Sequence, residues 1–283
     1  MTLPIGKAFI AYCSPAGSTQ HVARVMERKL RSLEVPVTVI DLARETDLPL
    51  IISQIREAGG NLCLYVGSPV YALHPLPPVM TFIEALPVVN GGYSVPFITW
   101  GGVNSGTALH TMERALNKKG YPALGGAKVL APHSRMWAHD APLGKGHPDS
   151  EDEAMIEELV ETIAARCKTG QPQPLSPPLL DYQNQETREL AEQTPFEAAK
   201  TRFDPIDFRE DLCTQCGLCA EDCPVGAITL TPYPEIGPSC ISCCNCIRCC
   251  PEGAMTADLS KNHAAIQAKA VKFHERPFTR IFV

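Results

Sequence analysis

No stretch of this 283-residue chain approaches the ~18 uncharged apolar residues that a membrane-spanning helix needs, so no membrane span is expected. Nor is a secretory leader expected. The first apolar run, Ala8 to Cys13, is too short for a leader's hydrophobic segment and reads better as a strand. The expected compartment is therefore the cytoplasm, where cysteines serve as ligands or reactive thiols rather than disulfides. Neither Gly-x4-Gly-Lys nor Gly-x-Gly-x-x-Gly occurs, which disfavours nucleoside triphosphates and a direct NAD(P)H dehydrogenase. The eight histidines are scattered without ligand spacing. Basic charge is scarce over residues 204–258, where Arg209 and Arg248 face nine acids for a net −7, the reverse of what nucleic acid selects. With 45% hydrophobic and 20% charged residues the chain can still bury real cores. Its length suggests two domains at ~100–200 residues each.

Cysteine, by contrast, is abundant and uneven. Of 13 in all, an odd number, only Cys13, Cys63 and Cys167 fall in the first 170 residues. The other ten crowd between Cys213 and Cys250. Cys213-x2-Cys216-x2-Cys219-x3-Cys223-Pro224 is followed, 27 residues on, by Cys240-x2-Cys243-x2-Cys246-x3-Cys250-Pro251. The match extends from Cys-Pro-Val-Gly-Ala-Ile228 to Cys-Pro-Glu-Gly-Ala-Met255, so this is a duplicated unit. Its spacing is that of two [4Fe–4S] sites. Three cysteines at steps of three wrap one face of a cubane, and the fourth, turned away by its proline, reaches the other cluster. Cys213, Cys216, Cys219 and Cys250 are thus expected on one cluster, and Cys240, Cys243, Cys246 and Cys223 on the other. Two four-thiolate zinc sites are the competing reading, but zinc arms come as paired Cys-x2–4-Cys rather than triplets closed by Cys-Pro. Cys244 and Cys249 lie outside the register and read as small side chains near the clusters. Residues 205–258 closely resemble the two-cluster ferredoxins.

Gln171-Pro-Gln-Pro-Leu-Ser-Pro-Pro178 carries four prolines in eight residues, which excludes a helix or paired strand and favours an extended join. We read three parts: a first domain over 1–170, a proline-rich linker and polar connecting helix (about 183–200) over 171–204, and a small domain with a basic tail over 205–283. In the first part, strand-like runs at Lys7–Cys13, Pro36–Asp41, Asn61–Gly67, Val95–Trp100 and Ala127–Ala131 alternate with helix-like segments at Thr19–Leu33, Leu48–Ala58, Pro77–Leu86, Gly106–Lys119 and Ser150–Lys168. Five such strands imply a parallel sheet covered on both faces, with ligands at the carboxyl ends of the strands.

Three loops at those ends carry the signal. After the first strand, Ser14-Pro-Ala-Gly-Ser-Thr19 offers a tight turn at Gly17 and hydroxyls at Ser14, Ser18 and Thr19 before a helix start, a phosphate cradle without a lysine. The same features fit an ordinary capped helix. After the third strand, Pro69, Val70 and Tyr71 sit in a proline-stiffened loop. After the fourth, Gly101, Gly102, Asn104 and Gly106 permit close backbone approach to a flat heterocycle. Residues 5–168 resemble the flavodoxin family. The resemblance implies a 2-1-3-4-5 parallel sheet binding FMN, its phosphate on Ser14, Gly17, Ser18 and Thr19 and its ring between the 68–73 and 101–106 loops. Ala16 stands where the family's loop often has a hydroxyl.

The whole chain resembles the flavodoxin–ferredoxin fusion proteins of anaerobes. That implies FMN, two [4Fe–4S] clusters and low-potential electron transfer. Two other readings stay open: a reductase of a quinone, metal centre or other small acceptor, with Tyr71, His74 and His133 as candidate proton donors, and a cluster-bearing sensor whose flavodoxin fold has lost FMN. His133 and His139, near Trp137, could line the ring edge or simply be loop surface. The net −7 segment points to a redox partner with a basic docking surface. The tail, 259–283, is net +4 and ends in Phe273-x4-Phe278-x3-Phe282. It has three candidate resting places: the acidic surface, the first domain, or a second subunit in a homo-oligomer.

Overall fold

The computed structural model describes residues 6–44, 47–168, 172–201, 203 and 205–283. The expected boundary residues Gly170, Gln171 and Asp204 lie outside these. The first part runs β1 (Lys7–Tyr12), α1 (Ser18–Ser32), β2 (Val37–Asp41), α2 (Leu48–Ala58), β3 (Leu62–Tyr71), β4 (His74–Pro75), α3 (Pro77–Ala85), β5 (Tyr93–Trp100), α4 (Ala108–Lys118), β6 (Gly126–Leu130) and α5 (Ser150–Lys168). Its five long strands are all parallel, in the order β6-β5-β3-β1-β2. Counting those strands alone, this is the 2-1-3-4-5 doubly wound arrangement, whose switch point falls between β1 and β3. Near-continuous apolar runs suit strands buried on both faces. Phe9, Leu64 and Ile98 join one core with α2, α3 and α4, while Ile10, Tyr65 and Phe97 join the other with α1 and α5.

The sheet is larger than the five strands expected. β3 runs four residues past Gly67 and folds back on β4 through Val70↔Pro75 and Tyr71↔His74. The turn residues Ala72 and Leu73 both adopt left-handed backbone, φ 49° and 76°, the hand that matches a two-residue hairpin.

The second departure is at the join. The proline run is not extended throughout: Pro177–Leu179 form a 3₁₀ turn closed by Leu179 N–H on Ser176 O at 3.0 Å. Prolines are tolerated there because the first positions of such a turn need no N–H donor. Leu180 is buried in the first domain's core, and Leu175 N–H bonds Ala123 O at 2.7 Å, so the segment is strapped down. The polar helix is split into α6 (Gln185–Gln193) and α7 (Phe196–Lys200). Pro195 lacks the N–H needed to continue and pushes Thr194 out of helical geometry.

The cysteine-rich unit follows as β7 (Asp207–Phe208), α8 (Leu218–Glu221), β8 (Ile228–Leu230), β9 (Pro234–Ile236), α9 (Asn245–Cys249) and β10 (Met255–Thr256). β7 pairs with β10 and β8 with β9, both antiparallel. Then α10 (Ser260–Phe273) leads back to the first domain, where β11 (Arg280–Phe282) pairs antiparallel with β6. The basic tail therefore rests on the first domain's sheet, not on the small unit with which the sequence grouped it. Phe282 is buried there, stacked on Tyr182 at 5.4 Å. A buried clasp holds the return. Lys128 of β6 meets Glu275 at 2.7 Å, under the rings of Trp100, Tyr182 and Phe278 at 4.6, 5.1 and 4.9 Å.

Candidate functional site

The eight motif cysteines surround two cavities. One is bordered by Cys213, Cys216, Cys219 and Cys250, the other by Cys223, Cys240, Cys243 and Cys246, with Cys244 also on its wall. Each cavity thus takes three cysteines from one motif and the Cys-Pro cysteine from the other. The duplication extends to the backbone. Gln215 and Ser242, Gly217 and Cys244, and Gly226 and Gly253 are pairs 27 residues apart, and all six residues have left-handed φ. These turns aim amides at sulfur: Gln215 and Ser242 N–H reach Cys213 and Cys240 Sγ at 3.4 and 3.3 Å, and Ala227 and Ala254 N–H reach Cys223 and Cys250 Sγ at 3.2 Å each. Cys244 is explained by this register. It caps α9 as Gly217 caps α8, so its place is a backbone position.

The donor set fits an iron–sulfur cluster. N–H···S bonds stabilise thiolate and tune cluster potential. Burial pushes both the Cys243 and Cys246 thiols up to about 12, so they become ligands only where a cation replaces the proton.

In the first domain a small cavity is bordered by Ser14, Ala16, Ser18 and Thr19, and opens toward Val70, Tyr71 and Gly101. Ser14 Oγ accepts from Gln20 N–H at 2.9 Å, leaving its own proton to donate, and Thr19 Oγ1 is bonded to Thr99 Oγ1 at 2.8 Å. Gly17 is set by its φ of 86° alone, since a Cβ there would meet nothing within 4 Å. Val70, Tyr71, Gly101 and Ser134 also border a second chamber of about 490 Å³, within the usual range for a small-molecule or cofactor site. Residues of α6, α7 and α10 also line it. The Tyr71 hydroxyl is buried beside Ser134, without a hydrogen bond of ordinary geometry among the described residues. Adjoining hydroxyl-lined and ring-sized spaces, together with that hydroxyl, fit a phosphorylated flavin.

The other loop residues serve the walls. Asn104 bonds Thr187 Oγ1 at 2.9 Å and Gly106 N–H at 2.7 Å, bracing the loop although it still borders the chamber. Gly106 leaves no room for a Cβ against Leu73, and Gly102 has φ 73°; neither borders the chamber. Ser105 N–H bonds Glu275 at 2.8 Å, and Gln183 and Tyr182 bond Ser105 Oγ at 2.8 and 2.9 Å. Pro69 borders the smaller cavity. Among the proton-donor candidates, His74 is committed to Thr194 O at 2.8 Å. Burial, with the charges of Arg135 and Lys269, lowers His133 to about 4, so it is neutral at pH 7. His139 leaves the ring edge and packs edge-on against His263 at 4.9 Å.

The two units meet at these sites. Ser242 borders the flavin-sized chamber, and Ile241 and Cys243 are buried in the same core as Tyr71 and Cys13. Arg44 pairs with Asp222 at 2.9 Å, and Arg248 of α9 donates to Pro15 O at 2.7 Å and Ser134 O at 3.1 Å. Sequence reasoning missed Arg135, Arg248, Asn262 and Glu275 as neighbours of the site. Arg248 stands inside the second cysteine motif, between Cys246 and Cys250, and the other three lie in no motif.

The family model described as "4Fe-4S binding domain" matches residues 206–229, which span the first cysteine motif and end before Cys240. Among solved structures, the rubredoxin oxygen:oxidoreductase of the anaerobe Desulfovibrio gigas is similar over 60% of this chain and 38% of that one, at 23% identity and TM-score 0.48. The present chain therefore spans well under half of that enzyme. A flavodoxin from the domain Archaea is similar over 57% of this chain and 99% of that one, at 21% identity and TM-score 0.43. A Streptococcus pneumonia TIGR4 flavodoxin is similar over 56% and 97%, at 21% identity and TM-score 0.43. Among curated proteins none matches. The fold assignment rests on strand order and connections. By these the first unit is a flavodoxin-like α/β sheet, and it is joined to a segment that matches the 4Fe-4S binding domain model at residues 206–229. Among the described residues, no helix is long and apolar enough to cross a membrane.

Proposed function

We propose that the protein carries electrons between a partner, two [4Fe–4S] clusters and FMN. On this reading Cys213, Cys216, Cys219 and Cys250 hold the outer cluster and Cys223, Cys240, Cys243 and Cys246 the inner one. FMN lies with its phosphate on the Ser14–Thr19 loop and its ring in the chamber by Val70 and Tyr71. The domain boundaries are those read from sequence, with the tail's last strand belonging to the first unit. The observation that carries the proposal is the division of the eight cysteines between two cavities, the inner of which adjoins the chamber through Ser242 and Cys243. Cys216 is exposed whereas Cys243 and Cys246 are buried, which favours entry at the outer cluster and exit toward the flavin. A cluster passes single electrons and a flavin holds one or two, so the chain converts between the two modes.

Acidic residues around the outer cysteines suit a basic partner. The open side of the chamber favours a second reading, reduction of a small acceptor admitted to the flavin. Anaerobically purified protein should contain about eight irons and one FMN per chain. Four irons, or iron without flavin, would defeat the corresponding half of the proposal. Turnover of small acceptors no faster than that of free FMN would defeat the second reading.

A further inference from the structure

Residues 14–19 contain no basic residue, yet a phosphomonoester is a dianion. The cation against this loop comes from the other unit: the Arg248 guanidinium bonds the Pro15 carbonyl at 2.7 Å and the Ser134 carbonyl at 3.1 Å. A trans peptide holds its C=O and N–H in opposite directions. Anchoring the Pro15 carbonyl therefore fixes the Ala16 N–H toward the opposite side, and Ala16 borders the hydroxyl-lined cavity. Trp137 stacks on the guanidinium at 5.2 Å and limits its swing.

Arg248 sits on a helix of one turn, Asn245–Cys249, with Cys246 inside it and Cys250 next in chain. Those cysteines border different cavities, Cys246 the inner and Cys250 the outer. Whatever fills both cavities pins both ends of the segment that carries Arg248.

We infer that Arg248 is a positioning residue for the phosphate loop, and that through it cluster loading and FMN binding are coupled. The inference rests on the cluster and FMN assignments above. Loaded clusters hold α9 in place, Arg248 orients the loop, and the phosphate is bound by a preset amide and hydroxyls. With the clusters removed, α9 loses its anchors and the loop its orientation. Linkage requires the reverse effect: bound FMN must protect the clusters by the same factor, typically about 5–150-fold.

The test measures FMN and riboflavin dissociation constants, by flavin fluorescence under anaerobic conditions, on full-length protein with iron content determined in each sample. Wild type is compared with Arg248→Met and Arg248→Lys, each with clusters loaded and after iron chelation. Arg248→Met with full iron should weaken FMN at least about 5-fold. Riboflavin, which has no phosphate, should be unchanged, and Arg248→Lys should fall between. Chelation should weaken FMN binding in wild type but add little in Arg248→Met. Equal FMN affinity in wild type and iron-replete Arg248→Met would overturn the inference. Equal losses for FMN and riboflavin would do so too, since that pattern marks a general structural defect. An iron-replete wild type that binds neither flavin would defeat the FMN assignment itself, a result distinct from both.

Discussion

Glu275→Gln tests the clasp that brings the chain back to the first sheet. Lys128 and Glu275 meet at 2.7 Å with side chains only 4% and 14% exposed, and the carboxylate also receives Ser105 and Gln183. Glutamine keeps the shape and removes the charge, leaving a buried ammonium whose remaining neighbours are ring faces. Breaking one side of such a pair costs about 3–5 kcal/mol. At about 1.4 kcal/mol per tenfold, the opening constant of the return strand should rise by roughly two to three and a half powers of ten. Hydrogen exchange at the β11 amides that face β6 reads this directly. Adding Lys128→Met should recover most of the loss, because an apolar replacement of a whole buried pair is often neutral. A change in protection below about tenfold for the single variant, or a double variant no better than the single, would refute the argument.

The same clasp has a pH signature. Burial pushes Glu275 up, but the Lys128 charge and the bonds from Lys128 and Ser105 outweigh it and hold the carboxyl below its ordinary value. Its stabilisation is then full above the ordinary carboxylate range and vanishes only as pH falls through that lowered value, so β11 signals in NMR should persist through the ordinary range and disappear below it. Cys216→Ser and Cys246→Ser should each cost about four irons by metal analysis, and only the first should leave flavin reduction by an inner-cluster electron intact. Gly106→Ala puts a Cβ into the Leu73 backbone at φ 60°; a cost of about 1–3 kcal/mol and weaker flavin retention are expected by thermal melting and flavin release. Reduction by a basic partner should slow as salt rises from low to moderate strength, and a flat profile in stopped-flow would dispose of the steering argument.

The parallel sheet was legible because its strands are apolar runs bounded by helix starts, and Leu48–Ala58 and Ser150–Lys168 coincide with the observed helices. The two cysteine cavities were legible because their geometry is local: three residues per step, repeated at 27. What escaped was long-range. Arg280–Phe282 has only three residues and no periodicity to betray an edge strand 150 residues from its partner β6. Propensity favoured a single polar helix up to Lys200, and Pro195 cut it. In the 101–106 loop Gly101 and Asn104 do border the chamber, whereas Gly106 answers to the Leu73 backbone, a contact that loop composition does not announce. Arg248 gave no signal, since a lone arginine among cysteines looks like solvation until the loop it touches is known.

Because the chain leaves the first sheet after α5 and re-enters it at β11, the small unit is nested rather than appended. Like a shutter pinned along two edges, it cannot swing on a single tether. On the proposed function, electron passage between the halves requires no diffusive search, and its rate should be indifferent to solvent viscosity. Nor can the unit be snipped off as a module: a cut near 204 would strip β6 of its neighbour and expose a row of unpaired backbone groups, a ready template for sticking to another copy.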